Sequence, residues 1–152
     1  IGLLIKKFVA AAVPALEKFF GLLVFNYIFS NGDAHLKNFS LMRNDQGEYL
    51  LTPAYDLMCT VIHTPQESDT ALDLYPGDIH SPFYSTYGYY GPDNFMELAK
   101  RLGIVEKRAE RIMNQFPTNA DRITFFVENS FLTPETAKKY LECFKEKIRR
   151  MR

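Results

Sequence analysis

Asn31-Gly32-Asp33-Ala34-His35-Leu36-Lys37-Asn38, with Pro53-Ala54-Tyr55-Asp56-Leu57 after it, decides how this 152-residue chain reads. The first stretch follows a run of apolar residues from Leu16 to Phe29, interrupted only by Glu17, Lys18, Gly21 and Asn26. Such a run predicts a helix over residues 14–30 that is apolar all round and lies mid-domain. Between the two stretches, Phe39–Arg43 and Glu48–Thr52 are strand-like and flank Asn44-Asp45-Gln46-Gly47, a hairpin signal. A hairpin returns the chain to where it started. Asn38 and Asp56, at its two ends, are therefore expected to converge, with Asp33 on the same loop as Asn38.

Asn and Asp oxygens are hard ligands suited to Mg²⁺ bridging phosphate oxygens. An Asp five residues before an Asn is the spacing of a kinase catalytic loop, in which the Asp takes the attacking hydroxyl's proton and the Asn holds metal. Asp56 then supplies the second metal ligand. No single piece is specific, but the ordered set of Asp-x-x-x-x-Asn, hairpin and Asp is far more so.

On these residues the chain resembles the C-terminal domain of the HipA family, bacterial toxin-antitoxin serine/threonine kinases with a distant protein-kinase-like fold. Residues 31–41 and 51–57 carry the resemblance, which is strongest over 31–60. Asp73-Leu74-Tyr75 and residues 95–103 extend it more loosely. The resemblance implies an α+β, mainly helical C-lobe whose hairpin carries the catalytic and metal loops. It implies Asp33 as the base, Asn38 and Asp56 as Mg²⁺ ligands, and His35 and Lys37 beside the phosphate transferred from ATP. It also implies a protein substrate such as an aminoacyl-tRNA synthetase, and a helix-turn-helix antitoxin as partner.

Departures are equally plain. The position two residues after Asp33 is His35 and the lysine comes at Lys37, where protein kinases carry Lys at the first of these; Asp56 is followed by Leu57-Met58. Gly-Asp-x-His-x-x-Asn is also the loop of phosphoinositide 3- and 4-kinases, so a lipid kinase is the enzyme alternative. A degenerate lobe acting as a binding module is the non-enzymatic one. No Gly-rich phosphate loop or strand-borne lysine stands upstream, and the chain opens on Ile1. Residues 1–152 therefore read as one C-lobe domain, the N-lobe being absent from this chain or supplied by a separate polypeptide.

Composition sets the remaining bounds. Hydrophobic residues make up 47% and charged residues 24%, which excludes a disordered chain. Lys+Arg and Asp+Glu both number 18, so overall charge attracts neither nucleic acid nor membrane surface. The balance is uneven. From residue 44 to 99 there is no Lys or Arg against nine acids, and from 100 onward 13 basic residues face seven acids. The longest uncharged run, Phe19–Gly32, is 14 residues, short of the roughly 18 a spanning helix needs. Two cysteines, Cys59 and Cys143, form no disulfide framework and favour a cytoplasmic setting.

Helices are expected at 2–13, 93–102, 105–116, 119–129 and 134–150, with 63–92 irregular. The aromatic residues Tyr75, Phe83, Tyr84, Tyr87, Tyr89 and Tyr90 suggest a packed loop or a protein-docking surface, because no cation accompanies them in the sequence. Tyr55 is expected to pack in the core. The basic residues of the last helix are expected on a solvated face.

Overall fold

A computed structural model describes residues 1–152. It is mainly helical with one antiparallel hairpin. α1 (Gly2–Phe8) and α2 (Ala12–Ile28) precede the hairpin β1 (Leu41–Arg43) and β2 (Tyr49–Leu51). Then come α3 (Pro82–Tyr87), α4 (Pro92–Leu102), α5 (Glu106–Thr118), α6 (Ala120–Glu128) and α7 (Pro134–Arg150). The mainly helical α+β class read from the sequence is the class observed.

α2 is the hub, packed by α1, α4, α5, α7 and β2. Phe20, Val24, Tyr27 and Ile28 are fully buried, and beyond Ala15 only Lys18 is exposed along it. The helix starts at Ala12, two residues ahead of the expected Pro14. Pro14 is accommodated because the first four N–H groups of a helix have no intrahelical acceptor anyway. α1 stops at Phe8 and not at 13, since Val9 leaves the helix to bridge Tyr49 in parallel, with Phe8 edge-on to the Tyr49 ring.

The hairpin pairs Leu41 with Leu51, Met42 with Leu50 and Arg43 with Tyr49. Its turn is built by Asn44, whose Oδ1 accepts from the backbone of Gln46 (3.0 Å) and Glu48 (2.9 Å). Gly47 sits at φ 81°, a conformation that costs other residues about 1 kcal/mol or more. The strands are three residues each, shorter than the sequence suggests, and a single 3-10 turn at residues 36–38 precedes β1.

The region 63–92 is not wholly irregular. Ser81 caps α3 by accepting from the Tyr84 N–H, with Pro82 at the first helical position, a start signal that the sequence does carry. Asp78, buried to 1% exposure, organises the rest. Its carboxylate accepts from the Leu74 N–H (2.6 Å), the Tyr75 N–H (3.4 Å), the Ile79 N–H (2.7 Å) and the Tyr90 hydroxyl (2.9 Å). Burial and this carboxylate both push the Tyr90 phenol well above its ordinary pKa. Cations do reach the aromatic cluster, but from other helices: Arg101 lies over Tyr75 and Arg150 over Tyr89.

The last helix follows its predicted bounds, capped by the Thr133 hydroxyl, with Leu141, Phe144 and Ile148 buried. One expectation for it fails. Lys147 is buried at 5% exposure, adjoining the apolar stripe, and pairs with Asp69 instead of pointing to solvent. No helix is long and apolar enough to cross a membrane.

This packing has measurable consequences. Asp78→Ala strips three N–H groups and a hydroxyl of their shared acceptor, so chemical denaturation should show a loss of about 3 kcal/mol or more. Burial raises the Cys59 thiol to about 11, Cys143 adding to the effect, so Cys59 is protonated at neutral pH. Its alkylation rate with iodoacetamide should therefore keep climbing with pH to about 11. An ordinary thiol levels off near about 8.5; levelling there at Cys59 would contradict the burial.

Candidate active site

The site begins where α2 ends. Ser30, at φ 55°, turns the chain out of the helix, and the Asn31 N–H returns a 2.8 Å bond to the Asn26 carbonyl. The Asn31 side-chain amide donates to Asn26 Oδ1 (3.0 Å) and to the Asp56 carbonyl (3.1 Å). One buried amide thus ties the end of the central helix to the residue after the hairpin. Thr60 adds a second tie: its hydroxyl accepts from the Gly32 N–H (2.9 Å) and donates to the Ser30 carbonyl (3.2 Å), while its own N–H bonds the same carbonyl at 3.0 Å.

Gly32 is required by contact. A Cβ there would lie 2.7 Å from Glu67 Oε2 and closer still to the Ser68 carbonyl oxygen, within the range real Cβ atoms essentially never show. The chain then passes through Asp33, whose carbonyl accepts from the His35 N–H (2.7 Å), into the 3-10 turn Leu36–Asn38.

The hairpin brings together the two residues that it was expected to. Asn38 is buried, and its Nδ2 donates to Asp56 Oδ2 at 2.5 Å. Asn38 Oδ1 is buried with no partner. Asp56 is exposed and holds φ 56°, a left-handed conformation that Asp tolerates better than most residues and that clusters at functional sites. An orphaned buried amide oxygen beside a carboxylate, each on its own loop, is a donor set that fits a hard divalent cation completed by phosphate and water.

Asp33 and Lys37 are exposed on the same loop. His35 is half-buried, its Nδ1 buried without a partner. Tyr55 departs from expectation: it is 41% exposed and packs in no core. Its hydroxyl donates to the Lys37 carbonyl (2.6 Å) and lies 2.7 Å from Ser40 Oγ, so it spans the hairpin's two ends. Asn31, Thr60 and Tyr55 are the supporting residues that sequence reasoning missed. Asn31 stands inside the motif and is readable as a tie, whereas Thr60 carries no local signal.

An apolar cavity of about 280 Å³ lies between α1, α2, α4 and residues 70–74. It reaches Asn31, Ala34 and Leu36, but neither Asn38 nor Asp56 lines it. The polar chemistry of the loop is thus on a different surface from this cavity.

The HipA-like C-terminal domain family matches residues 1–123. Among curated proteins, the chain is 37% identical over 123 residues to "Putative kinase Y4mE" of Sinorhizobium fredii (strain NBRC 101917 / NGR234), covering 79% of this chain and 27% of that protein. It is 43% identical over 57 residues to "Putative kinase Y4dM" of the same strain, covering 38% of this chain and 14% of that protein. The chain thus spans about a quarter or less of the length of these curated relatives. With a match over most of its length, in a fold that joins Asn38 to Asp56, the chain belongs to the HipA-like C-terminal domain family.

Proposed function

We propose that the chain is the C-lobe of an ATP- and Mg²⁺-dependent kinase that phosphorylates serine or threonine on a protein. The observation that carries this reading is the contact of Asn38 with Asp56, together with the unpartnered Asn38 Oδ1, on the loop that exposes Asp33. A lobe retained only for binding has no need of an orphaned buried oxygen beside a left-handed Asp. The unpartnered oxygen carries a desolvation cost that a bound cation would offset, and strained backbone clusters at functional sites.

Asp33 Oδ accepts the proton of the substrate hydroxyl. That oxygen attacks the γ-phosphorus as the bond to the β-bridging oxygen breaks, leaving ADP, a phosphoester and a protonated Asp33. Asn38 and Asp56 would hold the metal, which when bound would supply positive charge against the phosphate oxygens. Lys37 faces the transferred phosphate and His35 borders it. Tyr55 fixes the Lys37 main chain. The remaining contacts to ATP come from an N-lobe, on the same or a separate polypeptide. A translation-related substrate such as an aminoacyl-tRNA synthetase, toxin activity and control by a helix-turn-helix antitoxin complete the reading, and they rest on the family.

In the complete enzyme, Asp33→Ala should lower phosphoryl transfer by roughly 10²–10⁴-fold. Asp56→Asn tolerates the left-handed backbone and should abolish Mg²⁺-dependent ATP binding in calorimetry, with the circular dichroism of both variants unchanged. Full activity in both variants contradicts the assignment. Tyr55→Phe removes two exposed hydrogen bonds, to the Lys37 carbonyl and Ser40 Oγ, so stability should change by no more than about 2 kcal/mol while kcat drops several-fold; an unchanged kcat would leave Tyr55 without a positioning role.

A further inference from the structure

α7 (134–150) lies beyond the residues matched by the family, yet two of its cations reach the chain that follows Asp56. Asp69 accepts from Lys147 Nζ through one oxygen and from Arg150 Nη1 (2.8 Å) through the other. Lys147 is buried, with its ammonium over the Tyr27 ring of α2 at 4.1 Å. Arg150 is braced by Glu146 and lies over Tyr89 at 4.6 Å. Asp69 is thus held by α7, which is itself seated on the central helix.

The neighbours of Asp69 bear on the loop. Glu67 and Ser68 press against Gly32 so closely that no side chain fits between them. Glu67 Oε2 is buried there with no hydrogen-bond partner. A carboxylate oxygen stripped of water and given no donor is unfavourable where it stands. Released, the segment would swing outward and hydrate it. Something must hold it in, and the ion pairs of Asp69 are the restraint two residues away.

We infer that Asp69, clamped by Lys147 and Arg150, is a positioning residue for the Asn31–Asn38 loop: it keeps residues 67–68 against Gly32 and so fixes where Asp33 points. Calling the loop catalytic rests on the proposed phosphotransferase reading; the mechanical coupling does not. α7 therefore belongs to the working unit, although the matched span ends before it.

Amide hydrogen exchange on this chain tests the coupling without any activity. In Asp69→Asn, and separately in Lys147→Met, which replaces a buried ammonium with an apolar side chain of similar length, exchange at the Gly32 and Thr60 amides should speed up roughly tenfold. The α2 amides from Phe20 to Val24 should exchange as in the parent. The double variant should be no faster than the faster single one, because both remove one interaction. In the complete enzyme kcat should fall with KM for ATP unchanged. Unchanged exchange at Gly32 and Thr60, or a uniform acceleration across α2 in both variants, overturns the inference. If the parent enzyme transfers no phosphoryl group while exchange responds as expected, the phosphotransferase reading fails and the clamp stands.

Discussion

Everything in the site depends on the double hydrogen bond of the Asn31 side-chain amide. It joins Asn26, on the buried end of the central helix, to the main-chain carbonyl of Asp56. Without that tie Asp56 would hang from the end of a two-stranded hairpin, and an isolated pair of short strands is marginal in water. With it, the carboxylate inherits the rigidity of α2, whose Phe20, Val24 and Ile28 are fully buried. Thr60, a short way beyond Asp56, repeats the arrangement by bonding Ser30 and Gly32.

Charge acquires a sharper meaning in the folded chain. The nine acids between residues 44 and 99 look like one electrostatic feature in the sequence. In the fold they divide by role. Asp78 is consumed by backbone N–H groups, Asp69 by Lys147 and Arg150, and Glu97 by Arg101. Asp56 is set apart by its left-handed backbone and its contact with Asn38. The basic C-terminal third is likewise divided, since Lys138, Lys139, Lys145 and Arg149 are solvated while Lys147 is buried. Overall neutrality thus conceals a long-range pairing of one acid of the middle segment, Asp69, with two cations of the last helix.

Legibility follows range. The helix hub, the hairpin and the convergence of Asn38 on Asp56 are readable because each rests on local pattern: an apolar run, a turn sequence, the return of a hairpin. The end of α1 is not, because Val9 answers to Tyr49, forty residues away, and not to its neighbours. α3 is announced by Ser81-Pro82, a signal easily lost among the other chain breakers around it. Tyr55 has the aromatic character of a core residue, yet its hydroxyl does the positioning. Lys147 obeys the rule for exposed cations until a partner 78 residues distant makes its burial affordable. Contacts of that separation leave no mark on a single sequence.

The central claim is that Asn38 and Asp56 hold a divalent metal against ATP. Paramagnetic broadening by Mn²⁺, standing in for Mg²⁺, reads it directly from the amide resonances of the complete enzyme with ATP present. The expected result is selective broadening of the Asn38 side-chain amide and of the amides around Asp33 and Asp56, lost in Asp56→Asn. Broadening centred on other acids, such as Asp45 or Asp93, or broadening that survives Asp56→Asn, would contradict it.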